Sequence, residues 1–187
     1  VHVAGPIKNK TVLIQGGAGT VGKTAIQFAR QAGARVIATV RTERDLAALS
    51  DSGVDHVLLM DDSLVKRVKK LAPNGIDHIV EVALGANIAM DISVLAQGGS
   101  ISTYATDVPT PAIPVWELVF INARLFFVGS DDVPRAAKAE AVAATNRLLE
   151  NGWQNFQIAA SLSLDEIAQA HALVENPSQP GRVVLSI

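Results

Sequence analysis

The chain has 187 residues, 49% of them hydrophobic and 18% charged, so apolar burial can offset the entropy of ordering and an intrinsically disordered chain is excluded. The 16 Lys and Arg against 18 Asp and Glu leave a net charge of −2, without the basic excess that a phosphate backbone demands, so nucleic acid is not an expected partner. With 0 Cys, disulfides, thiolate chemistry and Cys-ligated zinc are excluded within these residues. At roughly 150 residues per domain the length allows one domain and a fraction. No segment reaches the roughly 18 uninterrupted apolar residues of a membrane helix, so a soluble, cytoplasmic protein is expected. The opening VHVAGPIKNK starts on Val1 rather than methionine, which reads as an excised domain.

Apolar runs suited to buried strands fall at residues 11–15, 35–40, 56–60, 76–82, 100–104 and 125–128, and helical spacing fills residues 21–31, 43–50, 64–71 and 87–96 between them. This alternation predicts an α/β fold: a doubly wound, mostly parallel six-stranded sheet of Rossmann-like type, covered on both faces. Gly33 stands at a helix C′ position, and Thr42 is placed to cap the helix that begins at Glu43. The prolines of DVPTPAIP, at 107–114, mark a connection before a helical segment at 115–122. A long Ala-rich helix at 135–151 then leads to QIAASLSL, LDEIAQAHALVE and GRVVLSI, which predict a short C-terminal β-α-β appendage. The domains expected are 1–150, a dinucleotide-binding domain, and 151–187, a return segment.

The stretch TVLIQGGAGTVGKTAIQFARQAG is a strand ending in glycines that turns straight into a helix, and it contains Gly17-x-Gly19-x-x-Gly22. In a dinucleotide site Gly17 makes the turn, Gly19 admits the pyrophosphate, and Gly22 lets the helix pack closely. The N-terminus of that helix, at Thr20 and Val21, then faces the anion. The same residues spell Gly17-x-x-x-x-Gly22-Lys23-Thr24, a triphosphatase phosphate loop, and VLLMDD at 57–62 resembles the strand that holds magnesium in such enzymes. The strand-helix-strand spacing and the basic end of the second strand favour the dinucleotide; the triphosphatase stands as the alternative. That strand end reads Thr39-Val40-Arg41-Thr42, with no acid to bind a ribose 2′-hydroxyl, so Arg41, assisted by Arg44, is the candidate ligand of a 2′-phosphate.

The run QGGAGTVGKTAIQFARQAGARVIATVRTERDLAALSDSGVDHVLL resembles the cofactor domain of zinc-independent quinone oxidoreductases, the zeta-crystallin-like branch of the medium-chain dehydrogenase/reductase superfamily. The similarity continues through DHIVEVALGANIAMDISVLAQGGSISTYA to the closing SLSLDEIAQAHALVENPSQPGRVVLSI. It implies an NADP(H)-dependent enzyme passing hydride to a quinone, enone or similar carbonyl electrophile. The segments Ala83-Leu84-Gly85, Tyr104-Ala105-Thr106 and Phe127-Val128-Gly129 would then meet the nicotinamide half. It also implies a homodimer through the edge strand RLFFV, and an N-terminal substrate domain that this chain lacks, leaving the fragment inactive alone. A non-catalytic NADPH-binding or structural role stays open. Lys23-Thr24 departs from the family pattern, as does Asp107, which would weaken phosphate binding nearby. His2, His56, His78 and His171 lack ligand spacing, so no metal is expected, and no catalytic side chain is named.

Overall fold

The computed structural model describes residues 4–49, 52–129, 133–153, 157–178 and 181–187. Val1, His2 and Ser50 from the sequence reading lie outside these residues. The chain divides into two compact units, 1–141 and 142–187.

In the first unit, β1 (Thr11–Ile14), α1 (Thr20–Gln31), β2 (Arg35–Val40), α2 (Glu43–Leu49), β3 (His56–Leu59), α3 (Leu64–Leu71), β4 (Ile76–Glu81), α4 (Leu84–Val94), β5 (Leu95–Thr103), α5 (Val115–Phe120) and β6 (Arg124–Phe127) follow in order. The sheet order is β3-β2-β1-β4-β5-β6, and every pairing is parallel. Alternation along each strand supplies both faces. Val12 and Ile14 join Ala25, Ile26, Ala29 and Leu49 beneath α1 and α2, while Leu13, Ile37 and Ile79 join Leu64, Val68 and Ile88 beneath α3 and α4. Helices on opposite faces make the sheet doubly wound, as the sequence predicts. β1 is the switch strand: its register runs Val12 to Val36 on one side and Val12 to His78 on the other.

In this unit two element starts differ from the predicted ones by three residues or more. α4 begins at Leu84 rather than 87, because a capping carboxylate arrives from a distant loop, described below. β5 begins at Leu95 rather than 100, because the chain leaves α4 already extended and residues between Leu95 and Ser100 bulge out of the ladder, where Gly98 takes φ +70°.

α6 (Arg135–Glu150) precedes the remaining elements of the chain. In the second unit, β7 (Ile158–Ser163) and β8 (Arg182–Ser186) pair in parallel around α7 (Ile167–Glu175), the β-α-β form expected. Among the described residues no helix is long and apolar enough to cross a membrane.

Candidate functional site

Past the carboxyl ends of β1 and β4 the chain leaves for opposite faces of the sheet, into α1 and α4, and the strand order reverses there, which opens a crevice at that end of an α/β sheet. The turn from β1 into α1 forms one wall. Gly16, not Gly17, takes the left-handed conformation there, at φ +66°. A Cβ on Gly17 would stand 2.8 Å from Ala38 Cβ, and one on Gly22 would stand 2.8 Å from Gly17 Cα and press on the Gly16 carbonyl oxygen. Gly17 therefore seats the turn on β2 and Gly22 seats the helix on the turn. Gly19 differs: a Cβ there meets nothing nearer than the Gly16 oxygen at 3.4 Å. The open side of Gly19 leads to the first turn of α1, whose Gly19 cap makes no side-chain hydrogen bond. Thr20 and Val21 are exposed beside it, and the first intrahelical donor is Lys23 N, to Gly19 O at 2.9 Å. Uncapped N–H groups at a helix start are an anion site.

This geometry decides against the triphosphatase alternative. A phosphate-wrapping loop needs residues 18–22 in an open coil, yet α1 already begins at Thr20. The Thr24 hydroxyl that would hold magnesium donates instead to Thr20 O at 2.8 Å. The aspartates after β3 sit at the outer edge of the sheet, two strands from β1. Asp61 is committed to Ser63 and to Arg67 at 2.9 Å, and its hydrogen bonds to Ser63 hold its carboxyl below the usual range.

At the end of β2, Gly17 N donates to Thr39 O at 2.8 Å, which brings Arg41, Thr42 and Arg44 beside the glycine turn. Arg41 is exposed, and Arg44 stands 3.8 Å from Asp45. The other two candidates are turned to structural ends. Thr42 Oγ1 accepts Asp45 N at 3.1 Å as the cap of α2, and Thr39 is fully buried with its hydroxyl on Gln15 and Gly16.

The second wall lies across the crevice, where a cavity of about 370 Å³ is lined by Leu84, Tyr104, Ala105, Thr106, Phe127, Val128 and Gly129. Thr103, Pro109 and Pro111, which sequence reasoning did not single out, complete the lining. Three strand ends are laced together here by Leu84 N to Ala105 O at 3.4 Å, Tyr104 N to Glu81 O at 3.3 Å and Val128 N to Thr103 O at 2.8 Å. Ala83 and Gly85 flank Leu84 in the chain without lining the cavity. The Tyr104 hydroxyl is pushed up in pKa, first by burial and then by the charge of Glu81. Asp107 has a role the sequence did not disclose: its Oδ1 accepts Ala86 N at 2.9 Å, capping α4 from 21 residues away. A side chain on Gly85 would collide with that carboxylate at 2.7 Å. The carboxylate occupies the start of α4, so the start of α1 is the open anion site of the two.

Glycine turn, switch-point crevice and apolar second wall together define a Rossmann-like α/β domain. Residues 20–142 match the family described as zinc-binding dehydrogenase, and the chain belongs to that family. It is 28% identical over 99% of its length to a quinone oxidoreductase of Lama guanicoe, and spans only 57% of that protein. Among solved structures, a mycobacterial quinone oxidoreductase superposes with a TM-score of 0.87 at 24% identity, over 98% of this chain and 59% of that one. A mycobacterial protein solved in complex with NADPH gives a TM-score of 0.80 at 23% identity, over 98% and 59%. As for the metal in the family's description, the chain has 0 Cys, and among the described residues no group of three or more His, Asp or Glu is placed to hold an ion.

Proposed function

We propose that residues 1–150 are the cofactor domain of an NADPH-dependent oxidoreductase, and that its acceptor is a quinone, enone or similar electrophilic carbonyl compound. The observation that carries this reading is the glycine turn, in which Gly17 and Gly22 are packed against backbone and β2 while Gly19 alone is open, beside an uncapped helix start. The relatives named quinone oxidoreductase and the NADPH complex of a fold neighbour support it.

Bound NADPH would supply hydride chemistry; the protein supplies position. The N–H groups of Thr20, Val21 and Gly22 receive the diphosphate, and the exposed Arg41, with Arg44, receives the 2′-phosphate. Leu84, Tyr104 and Phe127 offer apolar surface to the nicotinamide end and keep water from it. A tyrosine whose proton is held more tightly than usual stays neutral at that wall.

Residues 151–187 are proposed to complete the substrate domain of a longer protein. They carry exposed Ile158, Leu164, Ile167, Val174 and Val184, apolar side chains suited to such a partner. A homodimer through β6 belongs to the same reading. β6 is one of the two edge strands of the sheet, its Phe127 is 71% exposed, and α5 adds Trp116 and Phe120 at 70% and 74%. The compartment proposed is the cytoplasm, where NADPH is drawn on by reductases.

The test is a fluorescence titration with NADPH beside a quinone reduction assay. Saturable NADPH binding without appreciable turnover is expected of these 187 residues, because they span only 57% of the quinone oxidoreductase they match. Absence of NADPH binding overturns the cofactor reading, and robust turnover by the chain alone overturns the need for a further domain.

A further inference from the structure

Behind the crevice runs a chain of buried polar groups that the proposed function does not use. Thr39 Oγ1 accepts Gly16 N at 3.4 Å and donates to Gln15 Oε1. Gln15 Nε2 donates to Asp91 Oδ1 at 2.9 Å, and the Asp91 carboxyl feels the charge of the neighbouring Glu81. Glu81 Oε1 in turn accepts Val82 N at 2.7 Å, Ala83 N, and Asn87 Nδ2 at 3.0 Å. Gln15, Thr39, Glu81, Asn87 and Asp91 are all buried. The chain thus begins on the left-handed glycine of one loop and ends on the first amides of the other.

Its centre is two carboxyls. Glu81 Oε2 and Asp91 Oδ2 are buried and meet no N–H or O–H from another residue. Two ionised carboxylates are acceptors only, so these oxygens are satisfied together when a single hydrogen lies between them. Burial, and then the neighbouring Glu81 charge, raise the Asp91 carboxyl well above the usual range, so it is the proton's holder. The titratable neighbours on the surrounding elements are Glu81 on β4, Asp91 on α4 and Tyr104 after β5; Gln15, Thr39 and Asn87 are neutral. None of the ion pairs among the described residues reaches either carboxyl. A buried pair of like groups is a poor device for stability, since apolar side chains of the same volume fill such space at less cost. Its distinguishing feature is where its two ends lie.

We propose that Glu81 and Asp91 are positioning residues, and that the one proton they share couples the glycine turn at 16–19 to the β4–α4 connection at 82–83. With the proton in place, both loops are held at one spacing across the crevice. When it leaves, two carboxylates face each other in a dry site, and their repulsion is relieved by moving Val82 and Ala83 on one side and Gln15 on the other. The effect on cofactor rests on the function proposed above, because these loops are assigned there to the two halves of NADPH; the coupling of the loops does not.

Amide hydrogen exchange on the ligand-free chain reads the coupling directly. As pH rises past the Asp91 titration, protection at Gly16, Val82 and Ala83 is expected to fall together by tenfold or more relative to Ala34, whose amide bonds Ala29 O at 3.0 Å in a turn far along the chain. Asp91→Asn keeps the acceptor for Gln15 and places a fixed N–H toward Glu81; Glu81→Gln keeps the acceptor for the loop and places one toward Asp91. Either variant flattens the profile. Gln15→Met cuts the chain in the middle, leaving the loss at Val82 and Ala83 and sparing Gly16. In parallel, the NADPH dissociation constant of the wild-type chain rises about tenfold over the same pH interval and is level in Asp91→Asn. Should neither carboxyl variant fold, the infrared C=O stretch of a protonated carboxylic acid at neutral pH in the wild-type chain stands in for them, and its absence overturns the shared proton. Response of one loop alone, a wild-type profile in Asp91→Asn, or joint movement in Gln15→Met overturns the coupling. If exchange behaves as stated while NADPH fails to bind at any pH, the cofactor reading fails and the coupling stands.

Discussion

Gly19 and Gly22 belong to one motif yet answer to different constraints, and alanine at each separates them. At Gly22 the new methyl would stand 2.8 Å from Gly17 Cα and closer still to the Gly16 carbonyl oxygen, both backbone atoms of a turn pinned on β2. Overpacking against immovable backbone lies near the upper end of the usual range, about 3 kcal/mol. Replacing a helical glycine by alanine returns about 1 kcal/mol, so about 2 kcal/mol of net destabilisation remains. For a chain of this size that is a fall of about 4–8 °C in Tm. At Gly19 the nearest atom is 3.4 Å away and φ is −71°, a conformation any residue adopts. The gain of about 0.4–1 kcal/mol from a stiffer unfolded chain is offset by the poorer helix cap that alanine makes, and stability changes by less than about 0.5 kcal/mol. The methyl nevertheless fills the side from which an anion reaches the amides of α1. Losing one charge-assisted hydrogen bond costs about 1.5–3 kcal/mol, which is about tenfold or more in affinity. Thermal denaturation and NADPH fluorescence titration on both variants give the comparison. Wild-type affinity in Gly19→Ala refutes the assignment of Gly19 as the opening, and wild-type Tm in Gly22→Ala refutes the packing argument.

Arg41→Ala is expected to remove most of a preference for NADPH over NADH. The guanidinium is exposed and therefore screened, so about 1.5 kcal/mol, roughly tenfold, is at stake, and equal affinities for both cofactors in the wild-type chain would contradict the role. His78 is 1% exposed between Ser100 Oγ at 2.8 Å and Ser102 Oγ at 3.0 Å, and burial lowers its pKa from 6.5 to about 4. Between these values the unfolded chain binds a proton that the folded one refuses, so stability is complete above pH 6.5 and falls as pH drops towards about 4, by at most about 3 kcal/mol. His78→Gln should flatten that slope in urea denaturation, and an unchanged slope would assign it elsewhere. Light scattering at micromolar concentration should give a dimer mass that Phe126→Lys halves; a monomer mass in the wild-type chain removes β6 as a contact.

The strands were legible because parallel strands covered on both faces are almost wholly apolar, and TVLI, RVIATV and HIV declare themselves. The glycine motif was legible in place but not in detail. Its three-glycine pattern starts at Gly17, yet the left-handed residue is Gly16, one position outside it, because the turn begins before the spacing that the helix imposes. Arg41, proposed from its position after β2, is exposed there, whereas Thr39 and Thr42, proposed beside it, are drawn inward and into a helix cap. Asp107 capping α4, and Asp91 meeting Glu81 and Gln15, join residues 10 to 76 positions apart, and no local periodicity carries such contacts. A hint was present nonetheless. Glu81 ends a strand buried at every other position but Asp77, and Gln15 follows the apolar run of β1, so each is a polar group in need of a partner.

The position of β1 between β2 and β4 also has a consequence in time. The amide of Gln15, which anchors the glycine turn, finds its acceptor in Val80 O, about 65 residues later in the chain. At a synthesis rate of about 5–20 residues per second, that partner emerges about 3–13 s after Gln15 does. During this interval β1, β2 and β3 are the strands available, and β1, central in the finished sheet, is an apolar edge with open hydrogen-bonding groups. Parallel pairing across such separations is slow as well. The nascent chain is therefore most exposed to mispairing after β3 has emerged and before β4 has, and a translational pause in that interval would lower the folded yield, whereas one placed after β4 has emerged would find the edge already closed.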